Sequence, residues 1–174
     1  MENFKFSDRP DQERLRTLDH EFPSVDPTKV ALFLDIQWTY REMQSQYDAI
    51  LADHQLSESK FIILMFLRQA PNQQLTPSEI ASKLGATKAT VTKLLNRMNE
   101  KGLIEKLHSS SDKRSLNIKL TAMGQSKLSE FLPFNFGSVD TLMEDLSADE
   151  VNQFSMLLDK IKTGTKKLSD KRGK

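Results

Sequence analysis

Two capped helices joined by a glycine-containing turn lie near the middle of this chain. The first helix begins at Thr76, with Pro77 in its first position and Glu79 three residues after the cap, which is the pattern of a capping box. Gly85 supplies the left-handed residue that ends a helix. A second helix begins at Thr87, and its apolar residues recur at the spacing of one buried face, Val91, Leu94, Leu95 and Met98. This order predicts a helix-turn-helix.

A hairpin is predicted directly after the second helix. Residues 103–108 are apolar-rich, and in 116–120 apolar residues alternate with polar ones, which is the period of a half-buried strand. Residues 109–115 between them are polar and turn-prone, with Lys113 and Arg114 at the tip. A hairpin in this place is the wing of a winged helix. In such a fold the second helix enters the major groove of duplex DNA, and the wing reaches the phosphates or the minor groove.

Positive charge is concentrated on the same segment. Residues 87–121 hold eight lysines and arginines and three acids, a net charge of +5, whereas the whole chain carries +1. Lysines and arginines that neutralise DNA phosphates release the bound counterions, which favours binding. Their concentration on one segment of a nearly neutral chain indicates that DNA binds at that segment. The alternative, an ordinary solvated face, leaves the capped helices and the hairpin unexplained.

Two spaced motifs run through this segment. The wing follows the pattern Asp-x-Arg-Ser and then Leu-Thr, at Asp112, Arg114, Ser115, Leu120 and Thr121. The second helix follows the pattern Leu-x-x-Arg-x-x-x-x-Gly-Leu-Ile, at Leu94, Arg97, Gly102, Leu103 and Ile104. In order and spacing the segment resembles the MarR family of bacterial transcription regulators, over about residues 56–128.

The predicted fold class is mainly α with a small β-hairpin, a winged helix-turn-helix with N- and C-terminal dimerisation helices. Apolar residues three and four apart between Pro27 and Asp53 predict a long amphipathic helix. Thr121 can cap another helix that runs to about Leu132 and is bent or broken at Pro133. The resemblance implies a homodimer whose two wings flank one palindrome. The alternative is that the terminal helices close over their own core.

The chain is predicted to divide into a terminal extension, one domain and a tail. Asp11 to His20 in the extension form either a short helix or a loose polar segment. The lysine-rich tail is expected to fray in solvent, with nonspecific DNA contact as the other interpretation. The predicted ranges are 1–26 for the extension, 27–165 for the MarR-type domain (dimerisation helices in 27–55 and 122–165, winged helix-turn-helix in 56–121) and 166–174 for the basic tail.

Helix geometry assigns the predicted major-groove contacts. With the apolar stripe of the second helix facing inward, the opposite face shows Ala89, Lys93 and Asn96. Lysine can contact guanine acceptors, and threonine can touch a thymine methyl. Thr87 has the alternative role of a helix cap only. Residues near the start of the helix are the candidates, namely Thr87, Lys88, Ala89, Thr90, Thr92 and Lys93.

Other residues are predicted to contact the DNA backbone or the minor groove. Lys60 and Ser78 lie near helix starts, which favour anions, and Arg97 is expected on a phosphate or as a brace for the wing. The alternative for Asp112 is that it only fixes the turn and orients Arg114. The wing candidates are Asp112, Lys113 and Arg114, with the arginine in the minor groove.

The resemblance also implies a small aromatic or anionic effector that lowers DNA affinity. Candidate pocket residues are Trp38, Tyr40, Phe61 and Met65, although aromatic residues at helical spacing also fit a plain core.

Several classes of function are disfavoured by the sequence. The chain has no cysteine for a disulfide or thiolate site, and its three histidines lack ligand spacing, so we predict no metal and no cofactor. We find no glycine-rich phosphate loop or nucleophile motif, so we predict no enzyme. Without a signal sequence or a long apolar run, we expect a cytoplasmic protein with no membrane contact.

The predicted function is a sequence-specific transcription regulator of double-stranded DNA. The resemblance favours a dimeric repressor that binds a palindromic operator and is released by a small-molecule ligand. The alternative is a winged-helix module that holds proteins without specific DNA binding. Such a module should have apolar or mixed-charge residues where Lys113 and Arg114 stand.

Overall fold

The computed structural model describes residues 26–108 and 116–173, together with Pro10, Arg14, Thr17, Phe22 and Ser24. It divides into two units, residues 1–58 and residues 59–174. The helices are α1 Pro27–Asp53, α2 Glu58–Gln69, α3 Pro77–Leu84, α4 Lys88–Glu100, α5 Ala122–Met143 and α6 Ala148–Arg172, and the strands are β1 Gln74–Leu75, β2 Ile104–His108 and β3 Leu116–Leu120. The predicted fold class, mainly α with a small β-hairpin, is confirmed.

The first unit contains α1 and the start of α2. The Asp26 carboxylate caps α1 by accepting from the backbone N of Thr28 at 3.0 Å and of Lys29 at 3.3 Å. The hydrogen bond with Lys29 lowers the pKa of Asp26. The helix predicted within Asp11–His20 lies mostly outside the described residues. Arg14 and Thr17, which are described, have helical backbone.

The caps predicted for the helix-turn-helix are present. The Thr76 hydroxyl accepts from the backbone N of Glu79 at 3.2 Å, and the Glu79 carboxylate accepts from the backbone N of Thr76 at 2.7 Å. Gly85 has the predicted left-handed backbone, with φ of 61°. The backbone N of Ala86 then donates to the Ala81 carbonyl at 3.1 Å, which closes the helix as a Schellman motif.

A three-stranded antiparallel sheet in the order β1-β3-β2 includes one strand before the helix-turn-helix, β1, and two strands after it, β2 and β3. β2 and β3 are the predicted hairpin, with Ile104 opposite Leu120 and His108 opposite Leu116. β1 was not predicted, because its two residues are too few to show an alternating pattern. The core of the second unit is fully buried, and its largest members are Ile63, Leu64, Leu67, Ile80, Leu95, Met98, Ile104, Ile118, Leu128 and Phe131.

Both C-terminal helices extend beyond their predicted ends. α5 was predicted to run to about Leu132 and to be bent or broken at Pro133; the predicted end and break were wrong, since the helix continues to Met143. Proline has a backbone φ near the helical value, so one lost hydrogen bond need not end a helix. α6 continues to Arg172 and so takes up most of the basic tail that was expected to fray. Its last turn carries Lys171 and Arg172, which suit the negative end of the helix dipole.

A close approach joins the end of α4, the hairpin and the start of α5. The Thr121 hydroxyl donates to the Gly102 carbonyl at 2.6 Å and accepts from the backbone N of Gly124 at 3.0 Å. A Cβ atom at Gly124 would lie 2.1 Å from the Leu103 carbonyl oxygen and 2.8 Å from the Leu120 side chain. Only glycine fits here. We call this contact the Thr121–Gly124 junction.

Gly124→Ala should lower the free energy of unfolding by at least about 2 kcal/mol, because backbone must shift to relieve the overlap. Gly137 of the same helix has nothing within 4 Å of a built Cβ. The matched control Gly137→Ala should therefore be neutral or stabilise by up to about 1 kcal/mol. Urea unfolding followed by circular dichroism measures both. Equal stability of Gly124→Ala and the wild type would contradict the junction.

Candidate nucleic-acid interface

The second helix of the helix-turn-helix, α4, has one buried and one exposed face. Val91, Leu95 and Met98 are at most 2% exposed, so they fix the rotation of the helix about its axis. The predicted contact residues of this helix and its cap are all exposed, namely Thr87, Lys88, Ala89, Thr90, Thr92, Lys93 and Arg97. We call α4 the recognition helix.

Local hydrogen bonds occupy the threonine hydroxyls at the start of the recognition helix. The Thr87 Oγ1 accepts from the backbone N of Thr90 at 3.2 Å and lies 2.9 Å from the Thr90 Oγ1. The Thr92 hydroxyl donates to the Lys88 carbonyl at 2.8 Å. Thr87 therefore does have the capping role that was one of its two interpretations. The Thr92 hydroxyl proton is already donated within the helix.

Two cations near the end of the recognition helix act on Lys60 in the first turn of α2. Partial burial lowers the pKa of Lys60, and the charges of Lys101 and Arg97 lower it further. Lys60 lies in the first turn of α2, where the helix dipole also disfavours a cation and attracts an anion. These three residues form what we call the Lys60 cluster. The sequence did not indicate Lys101, because its proximity to Lys60 arises only from tertiary packing.

Ser78 is exposed in the first turn of α3, as a backbone-contact residue must be. This helix is held against α2 in part by Lys83, whose Nζ lies 5.5 Å from the centre of the Phe66 ring. This cation–π contact joins the last turn of α3 to α2.

A side chain of the sheet contacts the recognition helix. The Lys106 Nζ on β2 donates to the Asn96 Oδ1. On the same sheet, the Lys119 Nζ lies 3.4 Å from the Glu105 Oε1 on the neighbouring strand. Asn96 is exposed and Lys106 is half-buried. Sequence periodicity placed Asn96 on the outer face, but it gave no sign of the lysine that holds it.

The tip of the wing, residues 109–115, lies outside the described residues. The predictions for Asp112, Lys113 and Arg114 therefore stay predictions. The described base of the wing leads directly from the recognition helix into the tip and back through β3.

The candidate pocket residues divide between the two units. Trp38 and Tyr40 lie on α1, where Tyr40 is 61% exposed and Trp38 is half-buried. Phe61 and Met65 lie on α2 in the second unit. The Phe61 ring packs edge-on against the Phe131 ring, with centroids 5.1 Å apart. This contact is the core role that was the alternative for Phe61.

Within the described residues, no group of three histidine, cysteine or carboxylate side chains could hold a metal ion. In the same part of the chain, no helix combines the length and apolarity needed to cross a membrane.

Comparison with known proteins identifies the family. The family model described as MarR family matches residues 54–115. The HTH-type transcriptional repressor YetL of Bacillus subtilis is 34% identical over 137 residues, which cover 79% of this chain and 82% of the relative. The chain belongs to the MarR family. The family that the sequence resembled is confirmed, and as a member the chain is a DNA-binding transcription regulator, as predicted.

Solved structures of this family share the fold. AbsC from Streptomyces coelicolor, a MarR family transcriptional regulator, superposes with a TM-score of 0.72 at 19% identity, covering 82% of this chain and 97% of AbsC. The MepR–DNA complex of S. aureus superposes with a TM-score of 0.65 at 27% identity, covering 74% of this chain and 94% of MepR. The predicted winged-helix fold is thereby confirmed.

Lys60→Met should raise the urea midpoint of unfolding of the free protein at neutral pH. The substitution removes a partly buried charge and its repulsion from Lys101 and Arg97. Because the folded-state pKa of Lys60 is below its usual 10.5, the destabilisation is present while Lys60 is protonated and is relieved as the pH rises from that pKa to 10.5.

The gain from Lys60→Met should therefore be smaller at about pH 10 than at neutral pH. Lys88→Met, at an exposed position of the recognition helix, is the matched control for loss of one positive charge. If Lys60→Met is no more stable than this control at neutral pH, the Lys60 cluster is not strained.

Proposed function

We propose that this protein is a dimeric repressor that binds a palindromic operator with one recognition helix in each half-site. The observation that carries the proposal is the recognition helix itself, whose Val91, Leu95 and Met98 are buried and Leu94 half-buried, while every predicted base-contact residue is exposed. Two such helices related by a twofold axis read half-sites about 34 Å apart.

Each predicted contact residue has a place in this proposal. At the start of the recognition helix, Thr87, Lys88, Ala89, Thr90, Thr92 and Lys93 face the base edges. The wing residues Asp112, Lys113 and Arg114 meet the phosphates or the minor groove, and Arg114 is the one placed in the minor groove. Lys60, Ser78 and Arg97 contact backbone phosphates. The Lys60 cluster supports the last group, since a phosphate would neutralise charges that repel one another in the free protein.

An uncovered apolar surface supports the homodimer. On α5 and α6, Phe136, Phe154 and Leu157 are 59%, 50% and 47% exposed. A soluble monomer seldom exposes so many large apolar side chains together. We propose that helices in 27–55 and 122–165 pair with those of a second copy, and that this pairing sets the distance between the two recognition helices. The other exposed apolar residues of α5 and α6 include Phe134, Val139, Leu142, Val151, Met156 and Ile161.

The proposal includes release of the operator by a small aromatic or anionic effector, for which Trp38, Tyr40, Phe61 and Met65 remain the candidate residues. Its support is the resemblance to the family. The proposed role is regulatory and not enzymatic. The proposed DNA target implies a cytoplasmic location, where bacterial chromosomes lie.

Selection of genomic fragments with the purified protein tests DNA recognition. The recovered site should be an imperfect inverted repeat, and affinity should fall by roughly 10³-fold between about 50 and 200 mM salt. Lys93→Ala should change base preference, whereas Arg114→Ala should weaken binding to selected and scrambled DNA alike. A flat salt response, or recovery of no common sequence, would contradict the proposal.

Phe154→Glu tests the dimer. Phe154 lines a shallow apolar depression together with Gln153 and Leu157 of α6 and with Leu146, which precedes that helix. A carboxylate there should raise the dimer dissociation constant at least about tenfold, because burial of a phenylalanine stabilises by about 1.5–3 kcal/mol. Analytical ultracentrifugation measures the constant. Asn152→Glu, at an exposed polar position two residues earlier on the other side of the helix, is the matched control and should stay dimeric. A fully dimeric Phe154→Glu variant would place the interface elsewhere.

A further inference from the structure

We propose that Lys106 fixes the amide of Asn96 so that the recognition helix selects guanine and rejects adenine at one position of each half-site. The inference rests on the proposed DNA-binding function. Asn96 and Lys106 were not among the predicted contact residues, and the inference starts from the hydrogen bond between them.

Asn96 has the right place for a base contact. It lies seven residues after Ala89 and three after Lys93, which places all three on one face of the helix. Asn96 is exposed, and its neighbours Leu95 and Met98 are buried on the other side. The side chain is therefore carried on the surface that the proposal places in the major groove.

The orientation of the Asn96 amide follows from chemistry. The partner atom is the Lys106 Nζ. A lysine ammonium has three donors and no acceptor, so it must face the amide oxygen and not the amide nitrogen. Because Lys106 comes from β2, the sheet determines which end of the amide is held. The Nδ2 group, with its two hydrogens, is left to meet a ligand.

The held amide has a different base preference from a free one. A free asparagine recognises adenine by accepting from the base N6 amino group and donating to N7 at the same time. Here the Oδ1 atom already accepts a charge-assisted hydrogen bond, and the ammonium beside it repels the adenine amino group. The Asn96 Nδ2 and the remaining Lys106 hydrogens are all donors. Guanine, which presents the two acceptors O6 and N7, matches them.

The test compares base preference at every position of the operator recovered with the wild type. The wild type should prefer guanine over adenine at one position of each half-site, by between about 5-fold and 150-fold. Asn96→Ala should lose the preference at that position alone. Lys106→Met frees the Oδ1 atom and should shift the preference at the same position toward adenine. The double variant should behave like Asn96→Ala.

Lys119→Met is the matched control. It removes an equal charge from the neighbouring strand, but its contact is with Glu105 and not with the recognition helix. It should keep the guanine preference. Asn96→Asp, a change at an exposed position that spares the sheet, should also lose the guanine preference, because a carboxylate offers acceptors only. If Lys106→Met does not fold, a guanine preference retained by Asn96→Asp would still overturn the inference.

The outcomes separate this inference from the proposed function. If the wild type selects no DNA, the proposed function fails. If it selects an operator and Lys106→Met keeps the same preference at every position, the pair is only a brace between helix and strand, and the inference is overturned. The inference is also overturned if Lys106→Met weakens binding to all DNA sequences equally and lowers the slope of log affinity against log salt concentration by about one. That is the behaviour of a phosphate contact.

Discussion

The Thr121–Gly124 junction is the contact on which the rest of the second unit depends. One hydroxyl, on Thr121, accepts from the first turn of α5 and donates to the residue that follows the recognition helix. The absence of a side chain at Gly124 lets the backbone of α5 approach the Leu103 carbonyl. The recognition helix, the hairpin and α5 are therefore held at one point. If the dimer forms through α5, a change in the position of α5 would move the recognition helix with it, because closely packed backbone is not readily deformed.

Electrostatics in this unit favours binding over stability. The Lys60 cluster sets three cations near one another, and the pKa of Lys60 is lowered as a result. A free protein optimised for stability would have an acid among them. In the proposed complex, DNA phosphates would supply the missing negative charge, and the repulsion in the free state would become attraction.

Local chemistry made much of the fold predictable from sequence. The capping box at Thr76 and the left-handed Gly85 are decided by residues within one turn of each other. β1 could not be predicted, because it is a strand only through its pairing with β3. The continuation of α5 through Pro133 was also missed. Proline removes one hydrogen bond but keeps a helical φ, so its effect on a helix depends on the packing around it.

In the candidate site too, local features could be predicted from the sequence, whereas contacts made by tertiary packing could not. Helical periodicity found the exposed face of the recognition helix, because burial of Val91 and Leu95 fixes what lies opposite. It could not find the contact between Asn96 and Lys106, which are ten residues apart and lie on different elements. A prediction from the periodicity of one helix takes no account of contacts that other elements make with its exposed side chains. In the proposed arrangement, Lys106 on β2 determines which atoms of the Asn96 amide can bind a base. The base preference of the recognition helix then depends on how the sheet packs against it.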